Sequence, residues 1–310
     1  MIVLIVCSGN FKGGFENLPI HRAFIYDQVE ALKKKGLEVE YYLIIGKGFI
    51  GYAQNILRLR KYLKSNRYDI VHAHSGLSGL VLSFAGRKKF IVTFHGSDIN
   101  AWKTRFLSMI PILRSSVNIF VSQALKDKTI FVKRKSVVIP CGIDLDLFKL
   151  IKKDDAKDIL KLRTEKKIIL FSSSFDNKIK NYELAKNVID NLDFLVEFLE
   201  IKNRTREEVV YLLNAVDALL LTSHSEGSPQ IIKEALACNC PIVSLDVGDV
   251  KDRIEDVDNS FISDQEGLTA NLMKVLNSES RSNGREYIES FSNSIIADEL
   301  VKIYTKVAEA

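Results

Sequence analysis

Short apolar runs alternate with helical patterns along the chain. In the first 140 residues, six runs have the length and composition of buried strands; they lie at 2–8, 39–45, 68–74, 89–96, 117–123 and 136–140. Helical patterns fill the intervals, at about 20–35, 53–65, 77–85, 103–114 and 123–129. Strands that are apolar nearly throughout are typical of parallel sheets covered by helices on both faces. The alternation therefore predicts an α/β domain with a doubly wound parallel sheet.

The alternation stops once and then starts again. Residues 146–166 are charged and carry no strand pattern, so we expect an interdomain linker there. Strand patterns return at 167–174, 195–201, 217–223 and 240–246, with helical patterns at 180–191, 205–214 and 229–237 between and after them. We expect an N-terminal Rossmann-like domain over 1–145, a smaller Rossmann-like domain over 167–285, and a last helix over 286–310 that packs back toward the N-terminal domain.

The charge of the chain is unevenly distributed. The net charge is +5 overall, but it is +14 for residues 1–140 and −9 for the remainder. A basic half and an acidic half imply different partners for the two domains. The chain has four cysteines, no basic leader before its first apolar run, and no apolar run of about 18 residues, so we expect a reduced, cytoplasmic protein without a membrane span.

Candidate ligand-binding residues follow the predicted strands, since ligands of open α/β sheets bind beyond the carboxyl ends of the strands. The stretch "SHSEGSPQIIKEALACNCPIV" (223–243) places Glu226 and Glu234 around the start of a helix, with Ser228 as N-cap and Pro229 in the first turn. Carboxylates accept hydrogen bonds from hydroxyl groups, so the pair suits a hydroxyl-rich ligand. A helix-dipole carboxylate next to an unrelated surface glutamate is the alternative explanation.

Several stretches, taken in order, resemble one enzyme family. "EGSPQIIKEALACNCPIV" resembles the E-x7-E stretch of the retaining glycosyltransferases of family 4, and the other matching stretches are "DIVHAHSG", "FIVTFHGSD", "VIPCGIDLDLF", "FSSSFDNKIKN" and "DVGDV". The sequences of these motifs are similar to those of transferases in bacterial surface-polysaccharide pathways. The resemblance implies the GT-B fold, in which two Rossmann-like domains face each other across a cleft. It also implies a nucleotide-diphosphate sugar, of the UDP or GDP type, as the donor held in that cleft.

The resemblance assigns roles to individual residues. Glu234 would bind the ribose hydroxyls of the donor, and Glu226 would hold hydroxyls of the transferred sugar. Lys180 would meet the diphosphate, where an ammonium group stabilises the charge of the leaving group. His95 would lie beside the sugar near the reacting carbon. Backbone N–H groups at the helix start would support the sugar or phosphate; they belong to Gly227, Ser228 and Gln230.

One position departs from the family pattern. The family usually carries an arginine a few positions before the lysine, and here Ser174 lies nearest to that position. Lys178, or hydroxyl and amide donors, would then take its place at the diphosphate.

The first loop contains Gly13 and Gly14 without the G-x-G-x-x-G spacing, so it does not predict a dinucleotide site. The resemblance instead places these two glycines across the donor diphosphate, with a plain tight turn as the alternative.

The sequence offers few further candidates for acceptor-binding, nucleophilic or metal-binding residues. On the acceptor side, the candidates are His74 and Asp98. No nucleophile stands out, and no D-x-D stretch follows a strand, so we expect no obligatory metal and no cofactor besides the donor substrate. The family is thought to retain configuration by front-face displacement, in which the leaving phosphate deprotonates the acceptor hydroxyl. Catalysis would then consist of positioning and of stabilising the diphosphate.

The acceptor is expected to bind the basic N-terminal domain. "ILRLRKYLKSNR" (56–67) alternates apolar residues with Arg and Lys, and basic clusters at 33–35, 87–89 and 133–135 add charge. Attraction to anionic lipid would bring the protein to the inner face of the cell membrane, where a glycan or a polyprenyl-diphosphate-linked acceptor is available. Ordinary solvated helix faces are the alternative explanation.

Four other functions are alternatives to glycosyl transfer. A nucleotide-sugar epimerase and a non-catalytic nucleotide-sugar-binding protein share the expected fold, and both stay open. Nucleic-acid binding is not expected, because no basic motif is interleaved with aromatic residues. A dehydrogenase is disfavoured by the missing glycine fingerprint.

Overall fold

A computed structural model of the chain describes residues 1–87, 89–129 and 135–310. The chain forms two compact units. The first consists of Met1–Gly142 together with Asn293–Ala310, and the second of Ile143–Ser292. Within the predicted basic clusters at 87–89 and 133–135, three residues lie outside the described part of the chain: Lys88, Lys133 and Arg134.

Within the described residues, the first unit contains a six-stranded parallel sheet with the order β2-β1-β3-β4-β5-β6. Its strands are β1 (Ile2–Ser8), β2 (Glu38–Ile44), β3 (Ile70–His74), β4 (Ile91–Phe94), β5 (Val117–Phe120) and β6 (Ser136–Val138). Each strand overlaps a predicted one. The central strands β1, β3, β4 and β5 are buried nearly throughout, which leaves a strong signal in the sequence, whereas the edge strands β2 and β6 are only partly buried.

The helices of the first unit cover both faces of this sheet. They are α1 (Leu18–His21), α2 (Ala23–Lys34), α3 (Gly48–Ser65), α4 (Gly76–Phe84), α5 (Ser97–Asn100), α6 (Trp102–Arg114) and α7 (Gln123–Asp127). Successive residues of a strand point to opposite faces, so Val3 and Ile5 pack in the core under α2, whereas Leu4 and Val6 pack in the core under α3, α4 and α6. The continuous apolar run of β1 thus packs in a hydrophobic core on each face of the sheet.

Helices α4 and α6 approach each other closely because glycine faces the contact. A Cβ atom added to Gly79 would lie 2.9 Å from Cβ of Pro111, and one added to Gly76 would lie 1.8 Å from Oγ of Ser108. Real Cβ contacts are never this short, so larger residues at these two positions would push the helices apart. Glycine here therefore fixes the start of α4, directly after β3.

The second unit is built on a five-stranded parallel sheet in its described chain, with the order β11-β10-β9-β7-β8. Its strands are β7 (Lys167–Phe171), β8 (Val196–Leu199), β9 (Ala218–Leu221), β10 (Ile242–Leu245) and β11 (Phe261–Ser263). The sequence predicts the first four. It does not predict β11, because three half-buried residues at a sheet edge form no apolar run. Both sheets are parallel, so within each unit the after-strand loops lie at one edge.

The helices of the second unit are α8 (Lys153–Leu160), α9 (Tyr182–Asp190), α10 (Arg206–Ala215), α11 (Gln230–Ala237), α12 (Val250–Ile254), α13 (Leu268–Ser278) and α14 (Gly284–Ile288). Helix α8 lies inside the segment 146–166, for which we expected a linker. Its Ala156 is fully buried, and Leu160 packs on the core of the unit. The segment is therefore part of the second unit, which begins at Ile143. Two apolar contacts within a charged stretch were too weak a pattern to reveal it.

The last helix, α15 (Asn293–Glu309), belongs to the first unit. Ile296, Leu300 and Tyr304 are buried in the core that also contains Val3 and Ile5 of β1. The chain thus returns to its N-terminal sheet after completing the second unit. None of the described helices combines the length and the apolarity that crossing a bilayer requires.

Candidate functional site

The second unit brings two of the predicted site residues together. Lys180 ends a 3₁₀ turn, Lys178–Lys180, that follows β7, and Glu226 lies in the loop after β9. Nζ of Lys180 donates to Oε1 of Glu226 at 2.6 Å, and the two side chains are 17% and 14% exposed. Because β7 and β9 are neighbours in the sheet, residues 46 positions apart in sequence form this ion pair.

The turn that carries Lys180 is fixed from the neighbouring strand. The Thr222 hydroxyl lies 2.9 Å from the carbonyl oxygen of Lys180 and 3.0 Å from that of Asn181. The His224 N–H donates to the carbonyl oxygen of Ile179 at 2.9 Å. Thr222 is fully buried, and sequence reasoning did not name it. The sequence feature that could have identified Thr222 is its hydroxyl directly after β9.

Helix α11 begins differently from the prediction. We expected Ser228 as N-cap and Pro229 within the helix, but the helix starts at Gln230, and Pro229 is the N-cap with φ −67° and ψ 120°. No side chain caps this helix start. The Ser228 hydroxyl instead donates to Oδ2 of Asp249 at 2.9 Å. The extended ψ of Pro229 delays the helix by one residue and leaves the serine available to a partner from another loop.

Asp249 is a second residue that sequence reasoning missed. It lies in the "DVGDV" loop after β10 and is 4% exposed. Besides Ser228, its Oδ2 accepts from Nε and Nη2 of Arg253 at 3.0 and 2.9 Å. The guanidinium of Arg253 lies 4.1 Å from the ring centroid of Phe291. The network ties the loop after β10 to the loop that carries Glu226.

Backbone contact reinforces this tie. Gly248 has φ +66°, and a Cβ there would lie 3.0 Å from the carbonyl oxygen of Gly227 and 3.1 Å from Cβ of Glu226. Glycine avoids both the contact and the strain of a positive φ. The turn at Gly248 therefore supports the loop that carries Glu226.

The other predicted donor residues of this loop lie on or beside α11. Glu234 and Gln230 are half-buried on the helix, and Gly227 is buried before it. Between them in sequence, Lys233 is fully buried, and its Nζ lies 3.3 Å from Oε1 of Gln230. The Lys233 side chain thus lies inside the protein, next to the predicted donor residue Gln230.

The predicted substitutes for the family arginine lie in the loop after β7. Lys178 is exposed, whereas the Ser174 hydroxyl donates to the Asp176 carboxylate. Asp176 also pairs with Lys202 at 2.7 Å, and hydrogen bonds from Lys202 and Ser174 hold the pKa of this carboxyl below its ordinary value. Ser172 is 5% exposed, and its hydroxyl has no hydrogen-bond partner among the described residues.

In the first unit, His95 is held by a chain of side chains. Nδ1 of His74 lies 3.0 Å from Nε2 of His95, and Nε2 of His74 lies 3.4 Å from the Gln28 amide nitrogen. Nδ1 of His95 lies 3.6 Å from Sγ of Cys141. When the Gln28 amide donates to Nε2 of His74, the N–H at Nδ1 of His74 donates to Nε2 of His95. The N–H at Nδ1 of His95 then donates to Sγ of Cys141.

A third histidine extends this chain inward. His72 is fully buried, with Nδ1 2.6 Å from the Tyr304 hydroxyl and Nε2 2.7 Å from the Thr93 hydroxyl. Its ring stacks on His74 at a centroid distance of 4.5 Å. Burial lowers the pKa of His74 to about 3 and lowers that of His72 well below its ordinary value. Both rings are therefore neutral near pH 7.

Two residues named for the acceptor side face inward. Asp98 is 4% exposed, and its carboxylate accepts backbone N–H groups from Gly76 at 3.0 Å, Gly96 at 2.9 Å and His95 at 3.3 Å. Burial raises the pKa of Asp98, and these hydrogen bonds oppose the rise. His74 is 2% exposed. Both side chains are thus buried with their polar atoms hydrogen-bonded around His95, and their contact with an acceptor stays a prediction.

The remaining predicted residues occupy a turn. Gly13 and Gly14, in the loop after β1, are exposed with φ +84° and +59°. The positive φ of Gly13 is a conformation that L side chains rarely adopt, so this turn favours glycine. Among the described residues, no group of three or more His, Cys, Asp and Glu side chains could hold a metal ion.

Two family models match the chain, one over each half. The model described as Glycosyltransferase Family 4 matches residues 23–147, and the model described as Glycosyl transferases group 1 matches residues 195–291. Together they cover most of both units and include β9, α11 and the loop between them.

Curated relatives carry the same kind of name. The Bacillus subtilis protein TuaC, named as a teichuronic acid biosynthesis glycosyltransferase, is 27% identical over 214 residues, which cover 59% of this chain and 54% of TuaC. An Escherichia coli protein, named UDP-Gal:alpha-D-GlcNAc-diphosphoundecaprenol alpha-1,3-galactosyltransferase, is 26% identical over 238 residues, which cover 61% of each chain. The matched region thus spans between half and two thirds of these two relatives.

Solved structures match over nearly the whole chain. The sucrose-phosphate synthase of Thermosynechococcus elongatus has a TM-score of 0.81 at 16% identity, covering 99% of both chains. The Anabaena protein HepE, solved in complex with UDP, has a TM-score of 0.72 at 17% identity, covering 99% of this chain and 100% of HepE. These likenesses and the two parallel-sheet units confirm the GT-B fold. The two family models and the curated relatives together support a family 4-like glycosyltransferase.

Proposed function

We propose that the protein is a retaining glycosyltransferase that moves a hexose-type sugar from a nucleotide-diphosphate sugar to a glycan or a polyprenyl-diphosphate-linked acceptor in bacterial polysaccharide biosynthesis. The observation that carries the proposal is the Lys180–Glu226 pair at the carboxyl-end edge of β7 and β9. An ammonium group and a carboxylate at one point suit a donor that presents a diphosphate next to sugar hydroxyls.

Each residue of the pair has a separate task. Lys180 neutralises charge that develops on the diphosphate as the glycosidic bond breaks, and Glu226 accepts hydrogen bonds from hydroxyls of the transferred sugar. Glu234 binds the ribose, and His95 lies beside the sugar. The leaving phosphate takes the proton of the acceptor hydroxyl, so the reaction needs neither a protein nucleophile nor a metal or cofactor.

The donor and acceptor classes are supported by named relatives. HepE has been solved with UDP, which supports a uridine nucleotide, although a GDP sugar has the same diphosphate chemistry. The Escherichia coli relative is named for a diphosphoundecaprenol acceptor, which supports a lipid-linked glycan. TuaC is named for teichuronic acid biosynthesis, which supports a surface polysaccharide.

We also propose that the first unit docks on the anionic inner face of the cell membrane, which keeps the protein on the cytoplasmic side. Helix α6 exposes Trp102, Phe106 and Leu113, which are 73%, 71% and 61% exposed and are spaced along one side of the helix. Exposed aromatic residues with flanking cations are typical of helices that bind at the membrane interface. Basic residues near such a surface contribute about 1 kcal/mol each.

Vesicle sedimentation tests this docking. Reversing the charges of Arg58, Arg60 and Lys61 on α3, or changing Trp102 and Phe106 to serine, should weaken binding to vesicles with anionic lipid. As the control, the wild type should bind only weakly to purely zwitterionic vesicles. Equal sedimentation of the wild type and both variants with anionic vesicles would refute the membrane proposal alone.

The donor is identified by ligand-induced stabilisation. The melting temperature is measured with UDP, GDP, ADP and CDP sugars, and the stabilising donor is then incubated with lipid-linked glycan acceptors. Transfer with retained anomeric configuration supports the proposal. Turnover of the donor without acceptor would indicate an epimerase, and stabilisation without turnover would indicate a binding protein; both outcomes contradict a transferase.

A further inference from the structure

Thr222 is fully buried directly after β9, and its side chain contacts the backbone of a loop that is distant in sequence. Its Oγ1 lies 2.9 Å from the carbonyl oxygen of Lys180 and 3.0 Å from that of Asn181. A carbonyl oxygen only accepts hydrogen bonds, so the threonine hydroxyl is the donor. Its single hydrogen is therefore shared between two carbonyl groups at the end of the turn that carries Lys180.

The turn Lys178–Lys180 depends on hydrogen bonds from outside. It contains no buried residue, so side-chain packing does not hold it in place. The Asn181 N–H lies 3.4 Å from the carbonyl oxygen of Lys178, which is longer than the usual N–H···O distance of about 2.7–3.2 Å. Asn181 has φ +56°, a left-handed conformation that a residue other than glycine keeps only when its surroundings hold it there. The Thr222 hydroxyl thus secures the turn at the end where the turn's own hydrogen bonding is weakest.

The loop that begins at Thr222 also carries the partner of Lys180. Glu226 lies in this loop, and its Oε1 accepts from Nζ of Lys180 at 2.6 Å. The loop is joined to the turn a second time through the backbone, because the His224 N–H donates to the carbonyl oxygen of Ile179 at 2.9 Å. One loop therefore holds the backbone of the turn and presents the carboxylate to its ammonium group. A shift of the turn would change the separation of the two charged groups.

We propose that Thr222 is a positioning residue for Lys180, which keeps the ammonium group at the place where the donor diphosphate binds. The proposal rests on the diphosphate role of Lys180 in the proposed function. Thr222 is fully buried, so it acts through the carbonyl groups of Lys180 and Asn181 and not by contact with the donor. A small displacement of the ammonium group weakens its hold on the diphosphate, because hydrogen bonds depend steeply on distance and angle.

Two substitutions of Thr222 isolate its hydroxyl. Thr222→Val keeps the β-branched shape and removes the donor, whereas Thr222→Ser keeps the donor. NMR titration of the full chain measures the affinities for UDP and for uridine, with GDP and guanosine as the second pair of probes. The ratio of the two affinities reports the diphosphate contacts alone. Thr222→Val should lower the preference for UDP over uridine about five-fold or more, and Thr222→Ser should stay within about two-fold of the wild type.

This ratio separates positioning from a merely structural role. A general loss of structure would weaken binding of UDP and uridine together and leave their ratio unchanged. Thr305→Val is the matched control, because the Thr305 hydroxyl also donates to a backbone carbonyl, that of Val301 at 3.0 Å, but on the last helix. This variant should keep the wild-type ratio. If the valine variant does not fold, Thr222→Ala removes the same hydroxyl with a smaller side chain and should give the same loss.

A double variant shows whether Thr222 acts through Lys180. In the Lys180→Gln background, Thr222→Val should lower the preference for UDP little further, because both changes act on the same ammonium group. A full additional loss in the double variant would overturn the proposal. So would a wild-type preference for UDP in the single variant Thr222→Val.

The failure of this role and the failure of the proposed function give different results. Glycosyl transfer that depends on Lys180 but keeps its wild-type rate in Thr222→Val would overturn the positioning role and leave the transferase function intact. A preference for UDP that falls in Thr222→Val, in a protein that transfers no sugar, would overturn the transferase function and leave the positioning role intact. A wild type that prefers neither UDP nor GDP over its nucleoside would overturn both.

Discussion

Nζ of Lys180 donates a 2.6 Å hydrogen bond to Oε1 of Glu226, and both side chains are more than four-fifths buried. The pair neutralises its own charge while no donor is bound. A diphosphate that approaches Lys180 would compete with Glu226 for the ammonium group, which would free the carboxylate for sugar hydroxyls. The two halves of the donor would then be recognised together, because each binding contact releases one partner of the ion pair.

Replacing the cation tests this arrangement. Lys180→Gln should lower the rate of glycosyl transfer about 100-fold or more, since it removes one preorganised group from the charge of the leaving diphosphate. Initial rates with an identified donor and acceptor measure the effect. Lys186→Gln is the matched control, because Lys186 is exposed on α9, where it pairs with Asp190. Wild-type rates for Lys180→Gln would contradict a role at the diphosphate.

Exchanging the two charges separates stability from activity. Lys180→Glu alone places like charges together and should destabilise the protein by about 1–3 kcal/mol, as should Glu226→Lys. The double variant restores an ion pair, so it should recover a large part of the stability in urea unfolding, while transfer stays lost. Recovery of transfer in the double variant would show that the pair is only structural.

The two glutamates should differ in their effects. Glu234→Ala should weaken binding of the free nucleotide, measured by calorimetry with UDP and GDP, because a ribose contact is lost. Glu226→Ala should not weaken nucleotide binding, because free nucleotide carries no sugar and loss of the carboxylate leaves Lys180 to the diphosphate. It should mainly reduce transfer. If both variants keep wild-type affinity and turnover, the assigned roles are wrong.

The support of the Glu226 loop can be tested through glycine. Gly248→Ala adds a Cβ at φ +66° that would lie 3.0 Å from the carbonyl oxygen of Gly227, so it should destabilise the protein and also lower transfer. Gly36→Ala is the matched control, since Gly36 has φ +84° and open space around it. Both changes should cost about 1–2 kcal/mol of stability from backbone strain, but only Gly248→Ala should affect transfer. Equal transfer rates in the two variants would contradict a supporting role for Gly248.

The sequence predicts the strands far better than the details of the site. Apolar runs locate β1 and β9 because burial on both faces requires them. The after-strand rule points to the loop of Glu226, and the resemblance to the family adds Lys180. The short β11 leaves no such pattern.

Side-chain partners were harder to predict, because they depend on residues distant in sequence. Ser228 looks like an N-cap, yet its hydroxyl pairs with Asp249, 21 positions away. Asp98 looks accessible after a strand, yet its carboxylate turns inward to backbone N–H groups at the start of α4 and α5. In both cases the local pattern was real, and a tertiary partner determined where the side chain points.

The buried histidines predict that the first unit loses stability in mild acid. His72 and His74 are neutral in the folded protein, with the pKa of His74 at about 3, but both titrate near 6.5 once unfolded. Below pH 6.5 the unfolded chain therefore binds more protons than the folded one, so the free energy of unfolding falls as the pH falls. Each histidine contributes about 1.4 kcal/mol per pH unit between its two pKa values. Asp98 acts in the opposite direction, because its pKa is raised in the folded state.

Urea unfolding between pH 7 and pH 5 measures this dependence, with the fluorescence of Trp102, the single tryptophan of the chain, as the reporter for the first unit. His72→Gln keeps a hydrogen-bonding side chain next to Tyr304 but removes the titrating ring. The slope of its unfolding free energy against pH should be smaller than that of the wild type by about 1.4 kcal/mol per pH unit below pH 6.5. The contribution of Asp98 is common to both proteins and cancels in the comparison. Parallel slopes for the wild type and His72→Gln would mean that His72 is protonated in the folded state, contrary to the buried position that the fold gives it.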